Sequence, residues 1–449
     1  MTLLVTGLLI VFIILCCFSL NYGAAFFILV HQVLPPLVRI GSVSLNTLMI
    51  CILLIFILIK RFILKKNTIS LSFYPVICVT LPISLLCLFS DLPIGYQLGG
   101  VAKLTITELL PYTIIFASIQ SKKDLNRLIN ALFIGYVVIG IYGIITFFIH
   151  FNPLVVLFAS FFGFEGDVWM GDEGEIRGAL SGISTGNMVS PLSWGQFSLV
   201  VLLLSIVLPL KKRSNKLQLI VIVLSLINCF LTTKRSVFTP AIFAIFCYLL
   251  SKGVLTPQRV FKSFITVSLV LGIAFFSPSF QKAVESNILG SVMFWDDDYA
   301  NKNNIGGSSK EMRFEQIAYL HQNLLNNYLT GEGYGFTDQY VERYDNRTPV
   351  RAFESIYLQI IANSGYIGLS AWLFFFILSF RKTENFSSRK SLNIIFHTFY
   401  FLSLILTGLK GSLWAYMTAC AILEKYSIYN KNKRIYNRNN EVNNNNTGL

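Results

Sequence analysis

Residues 43–66 read VSLNTLMICILLIFILIKRFILKK. The run 43–59 carries no charge and then stops at Lys60-Arg61 and Lys65-Lys66. An apolar helix of near-twenty residues covers about 30 Å of hydrocarbon, so this stretch reads as a membrane span with a basic stop. It is continuous rather than alternating, which excludes a strand of a membrane barrel. Similar runs recur at 3–20, 73–90, 98–119, 129–149, 192–210, 217–232, 237–251, 263–277 and 365–380. The stretch 391–424 holds two more short spans, broken at Gly408-Leu409-Lys410-Gly411. The expected fold is all-α: a polytopic integral membrane protein of about twelve transmembrane helices. Residues 23–40, with His31, Pro35-Pro36 and Arg39, make a thirteenth if they cross fully.

Composition agrees. Hydrophobic residues are 54% of the chain and charged residues 13%, against about 25% charged in soluble proteins. The net charge of +14 would suggest nucleic acid in a soluble protein, but here the Lys and Arg gather in short loops. That is the signature of membrane topology. Alternation from Lys60–Lys66 puts 121–128, 211–216, 252–262, 381–390 and the tail on the same, cytoplasmic side. It puts loops 151–191 and 280–364 outside. The chain then divides into a bundle (1–279) with the middle loop, the large loop (280–364), C-terminal spans (365–424), and an Asn-, Lys- and Arg-rich tail (425–449) expected to be a disordered cytoplasmic segment. Met1-Thr2-Leu3-Leu4 offers no basic start before the apolar run, so 3–20 reads as a retained first span rather than a signal peptide. The eight cysteines all lie in apolar runs, without disulfide or zinc spacing, and are expected to be buried thiols.

The interval from Phe280 to Tyr366 is the one long polar stretch, and a membrane chain that spends so much on one loop usually works there. Lys234-Arg235 lies on the outer side by the same alternation, where positive charge needs a reason other than topology. Guanidinium binds phosphate through paired, planar hydrogen bonds. Arg177, Arg235 and Arg313 are therefore candidates for an anionic substrate. Plainer readings stand beside each: Arg177 pairs with a neighbouring acid, Arg235 anchors a lipid headgroup, and Arg313 lies on the solvated face of a helix over 309–327. Glu354 sits where a helix should begin and is the candidate acid–base residue, with helix capping as its plainer reading. Gly331-Glu332-Gly333-Tyr334-Gly335 permits a sharp turn and close backbone approach, without the strand pattern of a nucleotide fold. Lys234, Gly333, Tyr334 and Arg351 join Arg177 as candidate pyrophosphate- or glycan-binding residues. Asp296-Asp297-Asp298 offers oxygens that hard cations favour, but a solvated acidic run is the plainer reading. His321 has no second histidine at ligand spacing and reads as a surface residue.

Three places resemble the superfamily of O-antigen ligases and Wzy-type polysaccharide polymerases of bacterial envelopes. Arg177-Gly178 resembles the outer-loop Arg-Gly of that family. Leu231-Thr232-Thr233-Lys234-Arg235-Ser236 resembles its Thr-x-Ser-Arg turn, with Lys234 where a small residue is usual. Arg313 followed by Gly331-Glu332-Gly333-Tyr334-Gly335-Phe336 resembles its loop. Glu354-Ser355-Ile356-Tyr357-Leu358-Gln359 and Asn363-Ser364-Gly365-Tyr366-Ile367-Gly368 then look like its re-entry motif. Glu354-Ser355 stands where ligases carry His-Asn and looks more like the polymerases. The resemblance implies a GT-C-like membrane glycosyltransferase of the bacterial plasma (inner) membrane, with the large loops periplasmic or extracellular. It implies undecaprenyl-pyrophosphate-linked oligosaccharides as substrates, and O-antigen or capsular polysaccharide as product. Neither cofactor nor metal is implied; a chain-length regulator and a flippase are implied partners. An O-antigen ligase with a lipid A-core acceptor, and a flippase for the lipid-linked unit, are the alternatives.

Overall fold

A computed structural model of the chain describes residues 2–35, 38–41, 43–65, 69–149, 152–162, 190–208, 215–232, 234–253, 310–342, 350, 353, 355–384, 390–408 and 412–446. The helices, in order, are α1 (Thr2–Phe18), α2 (Leu20–Val33), α3 (Leu45–Ile63), α4 (Val76–Phe89), α5 (Ile94–Ser118), α6 (Lys122–Ile149) and α7 (Pro153–Phe162). Then come α8 (Pro191–Val207), α9 (Asn215–Leu231), α10 (Arg235–Ser251), α11 (Lys310–Tyr319), α12 (Phe336–Glu342), α13 (Ile356–Thr383), α14 (Lys390–Thr407) and α15 (Leu413–Asn446). Five of them, α3, α5, α6, α13 and α14, are long and apolar enough to cross a membrane. Six shorter apolar helices accompany them, within α1, α2, α4, α8, α9 and α10. The chain is an all-α, multi-pass membrane protein. The span expected at 263–277 lies outside the described residues.

The first hundred residues show why the ambiguous segment was ambiguous. Ser19 caps α2 by accepting from the Asn21 N–H, and the chain reverses there. Phe12 stacks on Phe26 at 6.3 Å, so α1 and α2 form a hairpin. The α2 helix has 14 residues, a rise of about 21 Å, short of a full hydrocarbon crossing. It is followed by a small antiparallel pair, β1 (Arg39–Ile40) with β2 (Val43–Ser44), the only strands among the described residues. Lys60 donates to the Cys16 and Cys17 carbonyls at 2.7 and 3.2 Å, tying the end of α1 to the basic end of α3. A cation there satisfies helix C-terminal carbonyls. Thr2 therefore sits at the opposite end of α1 from Lys60.

The core is built around two helices. Ser190 caps α8, accepting from Leu192 N–H, and Pro191 takes the first position, where its missing N–H costs nothing. Trp194 and the run Phe197 to Leu208 are then buried on every side. A helix apolar all round belongs in the middle, and α8 packs on α9, α10, α14 and α15. The first turns of α15, Leu413 to Leu423, are equally buried. Helices such as α6 keep one face exposed, as a bilayer-facing helix should, with Ile134, Val138, Ile141 and Ile145 outward. This corrects the expectation for the cysteines: all eight are free, but Cys17 is exposed and Cys51, Cys78 and Cys247 are only half-buried. In a bundle bathed in lipid, an apolar residue need not be inside. At the C-terminus, α15 runs on through position 425, where composition predicts a disordered tail, and continues as helix to Asn446.

Side-chain contacts sort the bundle into two ends. At one lie Lys60, Arg127 with Asn21, Lys382 with Glu424, and Lys425 with Ser70. At the other lie the α4–α5 corner, the start of α8, the start of α10, the break between α14 and α15, and the whole described part of the large loop. This second end is called the loop face below.

Candidate functional site

The loop face is organised by two broken helices and a glycine turn. The α13 helix starts at Ser355, whose hydroxyl accepts from Tyr357 N–H. It breaks at Gly365, where φ is 61° and ψ −165°, a conformation open essentially to glycine alone. The turn that precedes α12 plugs this break. Tyr366 and Ile367 N–H, freed by the break, donate to the Tyr328 and Leu329 carbonyls at 2.9 and 3.2 Å. Glu332 N–H donates back to the Ala362 carbonyl at 2.9 Å. The approach is so close that a Cβ on Gly331 would stand 2.5 Å from Gly365 N, and one on Gly365 would overlap the Leu329 carbonyl. Two glycine motifs thirty residues apart thus meet backbone to backbone. Asn363 completes the joint, exchanging hydrogen bonds with Thr337 N–H and hydroxyl at 3.0 Å each. The Glu332 carboxylate closes the turn on itself, accepting from Asn326 N–H at 2.5 Å and Asn326 Nδ2 at 2.9 Å.

The far side of the turn docks on α5. Gln97, wholly buried, donates to the Leu92 carbonyl at 2.7 Å and accepts from Tyr334 N–H at 3.1 Å. The Tyr334 ring lies directly on Gly100. Its hydroxyl pKa is raised, first by burial and then by the Asp338 and Glu108 carboxylates, so it stays a neutral phenol. Gly333 packs on Ser90 and Gln97, where a Cβ would overlap the Ser90 hydroxyl. Both candidate residues in this turn, Gly333 and Tyr334, therefore anchor the loop to the bundle.

Beneath them is the second break, between α14 and α15. Gln196 of α8 donates to the Thr407 hydroxyl at 2.7 Å and the Gly408 carbonyl at 3.1 Å, and accepts from the Ser412 hydroxyl at 2.9 Å. Glu108 accepts from Trp414 N–H at 2.8 Å, capping α15. Glu108 was legible as an ionisable residue inside an apolar run, which in a membrane marks a site worth naming. Nothing in the sequence announced Gln97 or Gln196, because single amides in apolar helices carry no pattern.

The remaining candidates are placed as follows. Lys234 is half-buried and precedes α10, its carbonyl accepting from Val237 and Phe238 N–H at 2.9 and 3.0 Å. Arg235 is the first residue of α10 and Arg313 lies within α11, but their side chains lie outside the described residues. Thr232 and Val237, flanking the basic turn, pack on Gly195, next to Gln196. Hence Lys234-Arg235 falls on the loop face, as alternation of the spans requires. Arg177, Arg351 and Glu354 lie outside the described residues, as do Asp296-Asp297-Asp298. The neighbours of Glu354 are fixed: Phe353 is buried and its carbonyl accepts from Gln359 Nε2 at 2.9 Å, and Ser355 is the helix cap. Among the described residues no cluster of His, Cys, Asp and Glu is arranged to hold a metal ion.

Residues 220–373 match the family model described as O-antigen ligase. The matched segment runs from α9 through the Lys234-Arg235 turn and the large loop to the Gly365 break, and so takes in the glycine joint and the start of α13. No curated protein matches the chain.

Proposed function

From a segment of the O-antigen ligase and polymerase superfamily in a multi-pass membrane chain, we propose a glycosyltransferase that polymerises undecaprenyl-pyrophosphate-linked oligosaccharide repeat units at the outer face of the plasma membrane. The observation that carries this reading is the match over residues 220–373, which spans the loop-face elements gathered by the glycine joint. A sugar hydroxyl of one unit attacks the anomeric carbon of the growing chain, and undecaprenyl pyrophosphate leaves with the electron pair of the broken bond. The leaving group is a polyanion, for which Arg235 and Arg313 are the assigned cations, with Arg177, Lys234 and Arg351 as further contacts. Glu354 holds the attacking hydroxyl or takes its proton. The donor is already activated, so no nucleotide is needed.

The match carries the description of a ligase, which favours a second reading: transfer of finished glycan to lipid A-core. Glu354-Ser355 favours the polymerase. A glycan ladder from cells lacking the protein separates them. The polymerase reading expects a single repeat on its acceptor in the null strain, with the ladder restored by wild type and not by Arg235→Ala, Arg313→Ala or Glu354→Ala. Polymer accumulating on undecaprenyl pyrophosphate, with none on the acceptor, turns the reading to ligase. Full ladders from all three variants, expressed at the normal level, overturn the residue assignment.

A further inference from the structure

The α11 helix presents three sides. Successive residues turn by about 100°, so Gln316 and Leu320 share one side, and both are buried. Leu320 packs there with Phe353, Leu358 and Ile361. Phe314, Ile317 and Ala318 form a second side, at i, i+3 and i+4, and His321 continues it one turn on. The first three are exposed, Phe314 by 63%, and His321 is half-buried. The third side carries Glu315 and Gln322, polar and exposed. An exposed apolar stripe between a buried side and a polar one is the pattern of a helix that lies where water and hydrocarbon meet.

What the stripe joins identifies its partner. His321 Nδ1 lies 2.8 Å from the Ile317 carbonyl and Nε2 lies 3.0 Å from the Tyr366 hydroxyl, which fixes the imidazole at the end of the stripe. The Tyr328 hydroxyl donates to the His321 carbonyl at 2.7 Å. The backbone bonds of the glycine joint then set Leu329, 61% exposed, beside Ile367. From Ile367 the exposed apolar positions run on along α13 as Leu373, Phe374 and Ile377. That helix is long and apolar enough to cross a membrane, so its exposed apolar side faces lipid. Tyr366 precedes Lys382 by 16 residues, about 24 Å of helix, against about 30 Å of hydrocarbon. With Arg381-Lys382 at the headgroups of one leaflet, Tyr366, Tyr328 and His321 come close to the headgroups of the other. That is the level at which amphipathic rings collect.

We propose that α11 is an interfacial helix, with Phe314, Ile317, Ala318 and Leu329 set into the boundary between headgroups and acyl chains on the loop face. The partner is the lipid surface itself, and the contact continues the one that α13 makes below the break. The large loop is then held in two places, by the glycine joint and by the bilayer. The anchor stands independently of the transferase reading; its consequence for transfer rests on that reading. A helix lying flat in this layer keeps residues 310–319, Arg313 among them, at the depth of the lipid phosphates. The pyrophosphate of a lipid-linked donor must sit at the same depth, because its tail stays in hydrocarbon and its charge does not.

The test places the photoreactive residue p-benzoylphenylalanine singly at Phe314, Ile317 or Leu329, and at Glu315 or Gln322 on the polar side. The full-length protein is irradiated in cell membranes and purified, and its adducts are read by mass spectrometry. The first three positions are expected to give about tenfold more phospholipid adduct than the other two. Equal phospholipid adduct at all five positions overturns the anchor. So does its absence at the first three, or adducts there to a protein or to polysaccharide in its place. The double variant Phe314→Glu/Ile317→Glu tests the consequence. Both side chains are exposed, so normal yield is expected, with loss of the phospholipid adduct at Leu329 and of the glycan ladder. Phe314→Leu/Ile317→Leu should keep both. A full ladder from the glutamate variant, with its lipid adduct lost, overturns the consequence for transfer and leaves the anchor standing. An ordinary ladder in the null strain overturns the transferase reading and leaves the adducts, and so the anchor, as they are.

Discussion

Two membrane helices break on the same face, and the breaks are closed by different chemistry. At Gly365 the freed N–H and C=O groups of α13 pair with the backbone of the Tyr328–Glu332 turn. Between α14 and α15 the freed groups pair with side chains, Gln196 from α8 and Glu108 from α5. Every backbone polar group inside a bilayer must be satisfied by protein, so both solutions are obligatory. They differ in tolerance. A backbone joint at van der Waals contact admits no Cβ on either strand, whereas a side-chain clamp can be lengthened, shortened or neutralised. The first therefore suits a fixed geometry, and it holds the turn after α11, where His321 meets Tyr366, against the break in α13. The second leaves the two helices it joins open to tuning.

Substitutions test this difference, and the largest effect belongs at the backbone joint. Gly365→Val adds a β-branched side chain at a glycine-only conformation and drives it into the Leu329 carbonyl. A loss of more than about 3 kcal/mol is expected, read as absent monodisperse protein on fluorescence-detected size exclusion. Normal yield and melting temperature for this variant would break the comparison outright. At the side-chain clamp, Glu108→Leu leaves the first N–H groups of α15 unpaired, at a cost of about 2 kcal/mol. Glu108→Gln retains an acceptor oxygen and should recover most of the melting temperature; equal losses from Leu and Gln would mean that charge, not capping, holds the clamp. Smallest is Asn363→Ala, which removes the pair with Thr337 beside the joint but leaves the backbone contacts in place. It should cost about 1 kcal/mol, and a loss as large as that of Gly365→Val would show that the side chain, rather than the two glycines, carries the joint.

Much of this is legible in the sequence. The break at Gly408–Gly411 is visible as an interruption of an apolar run, and the structure ends α14 at Thr407 and begins α15 at Leu413. A helix expected over 309–327 is found as α11 and its continuing turn to Leu324. The glycines of the loop were expected to allow close approach, and they do: Gly331 meets the backbone at Gly365. What His321 meets is not legible in the sequence. Its partner Tyr366 is 45 positions away, and no local spacing rule reaches that far.

The sequence by itself determined the class of the molecule, the ends of most apolar helices and the side on which basic turns collect. Those properties depend on hydrophobic length and on charge, which are sums over neighbours in the chain. Tertiary structure alone decided which residues share a site. The meeting of Gly331 with Gly365, of Tyr334 with Gln97, and of His321 with Tyr366 depends on how a broken helix must find partners for its backbone in a medium that offers none. That requirement is met by whichever distant segment the packed bundle brings within reach, and the order of residues along the chain does not encode it locally.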